Sequence, residues 1–158
     1  AVEMLQEGKE IAIVFIDLDN FGAINKEFGH VRGDEVLKQA AHIFRGIIDE
    51  EMDKIYRYGG DEFVVLSTKS VWEAKELANR MIAALSSWGW PFGLKVTASA
   101  GVAGGRRKVV RFNGNLNHMV ADLINMASLA STKAKREKVP VVVAEHAIDV
   151  VPAAAESS

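Results

Sequence analysis

Residues 11–16 form a continuously apolar run rich in β-branched side chains, and it stops abruptly at Asp17, Leu18 and Asp19. Six such residues are too few for a buried helix of ordinary length, so the run reads as a central strand that delivers carboxylates at its tip. A central strand needs apolar partners on its flanks. With 158 residues and 49% hydrophobic content, the chain carries enough apolar material for one domain with a real core.

The remaining pattern supplies those partners. Between residues 34 and 48, Val36, Leu37, Ala40, Ala41, Phe44, Ile47 and Ile48 recur at helical spacing, which predicts an amphipathic helix on one sheet face. Residues 54–58 and 62–66 are strand-like and flank Gly59, Gly60 and Asp61, the turn chemistry of a tight hairpin. Ser70 and Glu73 form a capping-box pattern ahead of a helix whose stripe is Val71, Ala74, Leu77, Ala78, Met81 and Leu85, closed by Gly89 and Pro91. Strand character resumes over residues 94–102, followed by an exposed loop or ribbon over 104–117. Its Arg106, Arg107, Lys108 and Arg111 are assigned no role beyond soluble surface. A helix over 118–135, buried through Val120, Leu123, Ala127 and Ala130, and a last strand over 139–143 complete the order. Strands that end in a hairpin rather than always alternating with helices favour an α+β layer, with a linker at 1–10, the domain at 11–147 and a frayed tail at 148–158.

Charge and composition narrow the function. A formal net charge of −2 provides no global positive field for a nucleic-acid polymer, so small anions are the expected partners. The chain has no cysteine, so any metal is held by oxygen or imidazole, and oxygen ligands favour Mg²⁺ or Mn²⁺. No apolar run approaches the ~20 residues that cross a bilayer, which predicts a cytoplasmic domain without membrane contact of its own. A start at Ala1 reads as an excised segment, so a sensory or membrane part of a parent protein could precede it.

Asp17 and Asp19 end the apolar strand, while Asp61 and Glu62 sit in the two-glycine hairpin, so folding could gather four carboxylates at one sheet edge. A divalent cation would offset their repulsion, neutralise triphosphate oxygens and lower the pKa of a bound hydroxyl. The competing reading is that each is a solvated turn acid, the commoner fate of Asp beside Gly. Gly59 and Gly60 likewise read as plain hairpin formers or as residues that let backbone approach a phosphate or base.

The string Arg57, Tyr58, Gly59, Gly60, Asp61, Glu62, Phe63 resembles the signature of the GGDEF family of diguanylate cyclases. A second string, Asp17, Leu18, Asp19, Asn20, Phe21, then Asn25, Phe28, Gly29, His30, Gly33 and Asp34, is similar to the family's segment from the metal-binding strand through the nucleotide pocket. The resemblance implies a two-layer, polymerase-palm-like (ferredoxin-like) α+β domain with a mostly antiparallel sheet. It implies that Asp17, Glu62 and the Leu18 carbonyl bind metal and that Asp61 helps activate a 3′-hydroxyl, with both hairpin acids in reach of the same metals. Asn25 and Asp34 would read the guanine edge. His30 would line that pocket, or serve as a capping or core histidine. Gly59 and Gly60 would border the substrate, and Lys135 would bind phosphate or stand as a solvated helix-end lysine. The implied reaction condenses two GTP into cyclic di-GMP with loss of pyrophosphate. Each domain holds one GTP, so a homodimer is needed for turnover.

Several positions depart from the family pattern. Gly22 stands where a lysine is usual, and Val139 where an arginine is expected, with Arg136 or Lys138 as conceivable substitutes. Ser128, Ser131 and Thr132 loosen the match of the last helix. The family's inhibitory product-binding motif, Arg-x-x-Asp, reads Glu50, Glu51, Met52, Asp53, which predicts no product inhibition through that site. Two alternatives to an active cyclase follow: a weakly catalytic domain that binds GTP as a regulatory ligand, or a related cyclase with a different nucleotide product.

Overall fold

The computed structural model describes residues 10–106 and 116–144. The predicted central strand is β1 (Glu10–Leu18), followed by α1 (Phe21–Phe28), α2 (His30–Ile47), β2 (Asp53–Arg57), β3 (Glu62–Ser67), α3 (Val71–Ser87), β4 (Ala98–Arg106), α4 (Leu116–Glu137) and β5 (Val141–Val143). The sheet runs β2-β3-β1-β4-β5, antiparallel throughout except for the β4–β5 pair. β1 is therefore central, and Ile11 to Ile16 are all buried.

Side chains of a strand alternate between faces, and β1 uses both. Ala12, Val14, Ile16 and Leu18 enter a core shared with α1, α2 and α3, whereas Ile11, Ile13 and Phe15 pack with Val64, Leu66 and Ala103 beneath Leu123 and Ala127 of α4. The helices thus divide between the two faces of the mostly antiparallel sheet. Each fully buried aliphatic or aromatic side chain contributes about 1.5–3 kcal/mol, so a strand buried on both sides is the best-anchored platform in the domain.

The capping box ahead of α3 forms as predicted: Ser70 Oγ accepts from the Glu73 amide at 3.2 Å, and the Glu73 carboxylate accepts from the Ser70 amide at 3.0 Å. Other boundaries differ. α2 begins at His30 rather than Asp34, and α1, with Phe21 and Ile24 buried, precedes it where no helix was predicted. β4 begins at Ala98 and continues to Arg106, because Gly104 and Gly105 extend the ladder opposite Ala12 and Ile11. α4 outruns its prediction at both ends, and β5 is limited to Val141–Val143. Of the expected linker only Glu10 is described, as the first residue of β1, while the expected tail and most of the basic loop lie outside the described residues.

Candidate active site

Asp17 is the first residue of β1 to leave the core, and the ladder places it opposite Glu62 on one side and Ser99 on the other. Directly opposed residues share a face, so all three lie on the α4 side of the sheet. The Leu18 amide donates to the Asp61 carbonyl at 3.1 Å, which fastens the hairpin turn to the tip of β1. Arg57 braces the same turn from outside, donating to the carbonyls of Gly59 at 3.3 Å and Gly60 at 2.7 Å. A Cβ at Gly59 would strike the Glu62 carboxylate, so glycine here leaves that acid its place. As a result Asp17, Asp61 and Glu62 each bring a carboxylate oxygen within 4.8 Å of the others.

The fourth expected acid does not join them. The Asp19 amide donates to the Thr97 carbonyl at 2.8 Å, and its carboxylate accepts from Thr97 Oγ1 and Ser99 Oγ, both at 2.8 Å. Two hydroxyls on alternate residues, Thr97 and Ser99, draw Asp19 toward β4. The acidic group therefore numbers three.

Lys135, in the last turn of α4, is not merely a solvated helix-end residue. Its ammonium lies 3.0 Å from Asp17 Oδ2 and 3.6 Å from Asp19 Oδ1, and it donates to the Leu18 carbonyl at 3.2 Å. Burial raises the Asp17 carboxyl above its ordinary value; Lys135 opposes this, and the charges of Asp61 and Asp19 add to the rise. Glu62 is raised as well, chiefly by burial and then by the charges of Asp17 and Asp61, with Lys135 opposing. One lysine leaves three converging acids under-neutralised. Three hard oxygen donors with this unmet demand for positive charge fit a divalent cation.

The residues expected to read a base lie on the α1–α2 corner that continues from the tip of β1. Asn25 is half-buried on α1, and its amide abuts Gly33 so closely that a Cβ there would overlap its oxygen. His30 and Asp34 are exposed in the first turns of α2. Among the described residues, no hydrogen bond joins Asn25, His30 or Asp34 to the three acids. Gly22, in the first turn of α1, faces open space that a longer side chain could enter. Arg57, Thr97 and Ser99 were given no role by the sequence reading; the alternation of hydroxyls in a strand of small apolar residues was the available signal for the last two.

The family described as Diguanylate cyclase, GGDEF domain matches residues 2–139. The chain is 33% identical over 141 residues to diguanylate cyclase DgcP of Pseudomonas aeruginosa, covering 86% of this chain and 20% of that protein. It therefore spans about a fifth of that relative's length. Among solved structures, it superposes on the active GGEEF domain of a diguanylate cyclase from Vibrio cholerae with a TM-score of 0.77 at 26% identity, covering 90% of this chain and 88% of the other. The GGDEF domain of DgcB from Caulobacter crescentus, solved in complex with c-di-GMP, shares the fold at a TM-score of 0.76 and 22% identity, covering 90% and 82%. With the family matched over nearly its whole length and the three acids gathered at the hairpin, the chain belongs to the diguanylate cyclase GGDEF domain family.

Proposed function

We propose that this domain is a diguanylate cyclase that condenses two GTP into one cyclic di-GMP and two pyrophosphates. The observation that carries the reading is the convergence of Asp17, Asp61 and Glu62 from two elements onto one point, beside Lys135. Asp17, Glu62 and the Leu18 carbonyl would hold Mg²⁺ or Mn²⁺, with Asp61 in reach of the same ion. When bound, the cation neutralises phosphate charge and acidifies the attacking hydroxyl. Asp61 accepts the proton of the 3′-hydroxyl as that oxygen attacks the α-phosphorus of the other GTP and pyrophosphate leaves. Lys135 turns from the acids toward phosphate once they are neutralised. Asn25 and Asp34 present an amide and a carboxylate that match the acceptor and donor groups of guanine, with His30 lining the pocket and Gly59 and Gly60 keeping the hairpin clear. Positioning and charge neutralisation supply most of the acceleration.

Each domain carries one such site, so turnover needs two domains face to face, and a monomer is nearly inactive. The domain would act in the cytoplasm as the output of a longer protein with a sensory or regulatory part. Among the described residues, no helix is long and apolar enough to cross a membrane. Loss of cations at Gly22 and Val139 favours one other reading, a regulatory GTP-binding module of poor turnover. The test is incubation of the dimerised domain with GTP and Mg²⁺ or Mn²⁺, products identified by mass spectrometry, beside an Asp61→Ala, Glu62→Ala control. Cyclic di-GMP from the parent and none from the control supports the cyclase; GTP binding by a confirmed dimer without product supports the sensor.

A further inference from the structure

β2 is an outer strand of the sheet, and one of its sides meets no other strand among the described residues. An open edge keeps a row of N–H and C=O groups without ladder partners, a template for an extended chain laid alongside. Beside it a cavity of about 410 Å³ lies between β2 and α2, with Ile55, Tyr56 and Arg57 on the strand wall and Lys38, His42 and Arg45 on the helix wall. Buried Leu37 and Phe63 give it an apolar floor. Phe63 is the neighbour of Glu62 in β3 and so points to the opposite sheet face, which separates this cavity from the three acids. Asn25, His30 and Asp34 do not line it either.

Charge decides what such a groove accepts. No acid stands on its walls. Lys38, His42 and Arg45 are exposed on one face of α2, and among the described residues none of them forms an ion pair. Glu35, one turn ahead of Lys38, is taken by Arg32 at 3.1 Å. Arg57 is spent on the carbonyls of Gly59 and Gly60, so the three helix groups are the ones open to a ligand. A second copy offering the same edge would set Lys54 and Arg57 against their own kind, whereas an acidic chain is attracted. Spacing agrees: Lys38 and His42 are separated by about 6 Å of helix rise, close to the ~6.8 Å between alternate side chains of an extended chain.

We propose that the β2–α2 groove is a docking site for an extended acidic segment of a partner protein. The segment adds to the sheet beside β2 and sets alternate Asp or Glu side chains against Lys38, His42 and Arg45. Backbone pairing supplies the affinity, and the three helix groups select the partner.

The test titrates a blocked peptide of alternating Glu and Val into the domain and follows amide shifts by NMR. Beside it run the Gln–Val and Lys–Val counterparts, a Glu–Val peptide N-methylated at every amide, and the Lys38→Glu, Arg45→Glu variant. Glu–Val should bind saturably with its largest shifts at Asp53–Arg57, and both the Gln–Val peptide and the variant should weaken binding by roughly 10-fold or more. The N-methylated peptide should not bind. The variant should take the Lys–Val peptide instead, an exchange that also shows it to be folded. Absence of saturable Glu–Val binding, or shifts centred away from β2 and α2, overturns the proposal. So does N-methylated peptide that binds as tightly as its parent, since a plain anion site would then account for the attraction.

Discussion

The two ends of the β2–β3 ribbon treat carboxylates in opposite ways. At one end Asp53, opposite Ser67, is wholly buried, and its oxygens accept from Ser67 Oγ at 2.6 Å, the Asp49 amide at 2.9 Å and Lys69 Nζ at 2.7 Å. At the other end Asp61 and Glu62 meet Asp17 with a single lysine among them. The first acid is saturated by the protein and does structural work; the second group is left short of positive charge and keeps its oxygens for a ligand. Both ends carry carboxylates, so the supply of donors separates the saturated acid from the under-neutralised group.

Substitution of Asp53 is the most severe way to test this contrast. Asp53→Ala strands Lys69 and Ser67 and should cost about 3–5 kcal/mol, the penalty for breaking a buried pair, read as a fall in the urea midpoint. A loss under 1 kcal/mol would mean the network is ornamental.

At the other end the response should be to metal and to pH. Because the folded Asp17 and Glu62 hold protons more tightly than the ordinary values of 3.8 and 4.5, the metal-free domain loses stability as pH rises through the window above those values. A divalent cation held by the ionised acids should reverse the loss, by about 2.7 kcal/mol at a hundredfold excess over its dissociation constant. Thermal melts with and without Mg²⁺ across that window should diverge as pH rises; curves that stay parallel would remove the acids as the cation site.

A smaller effect is expected at Gly22. The space beside it is open, so Gly22→Lys should add about 0.5–1 kcal/mol of helix stability and tighten GTP through the cation the family pattern expects. Destabilisation would show that α1 cannot carry a side chain there. The smallest effect is none: cyclic di-GMP added at the start should leave the initial rate unchanged when GTP is saturating. Asp53 is consumed by Ser67 and Lys69, and Glu50 carries the wrong charge for a phosphate. Inhibition that persists at saturating GTP would reveal a separate product site.

What could be read in advance follows from how local each signal is. Residues 11–16, the Ser70–Glu73 box and the glycine hairpin encode their structure within a few positions, and all three form. α1 escaped notice because its two buried anchors, Phe21 and Ile24, are separated by Gly22 and flanked by polar residues. Tertiary pairing also overrode local cues at Gly104 and Gly105, whose loop-like composition was drawn into the β1 ladder. In the site, the gathering of Asp17, Asp61 and Glu62 was legible from their motifs, whereas the contacts of Lys135 with Asp17 and the Leu18 carbonyl were not. Withdrawal of Asp19 was not, since it depends on Thr97 and Ser99, roughly eighty residues away in the chain.

That sequence distance governs when the site comes into existence. The Asp19–Ser99 bond spans 80 positions and the Lys135–Leu18 bond 117. Closing such long stretches costs chain entropy that these contacts alone do not offset, so they depend on the completed core. A proteolytic fragment ending before α4 keeps the β1–β3 pairing partners but lacks Lys135 and its contacts with Asp17 and the Leu18 carbonyl. The full set of three acids with its lysine is therefore a property of the finished domain alone.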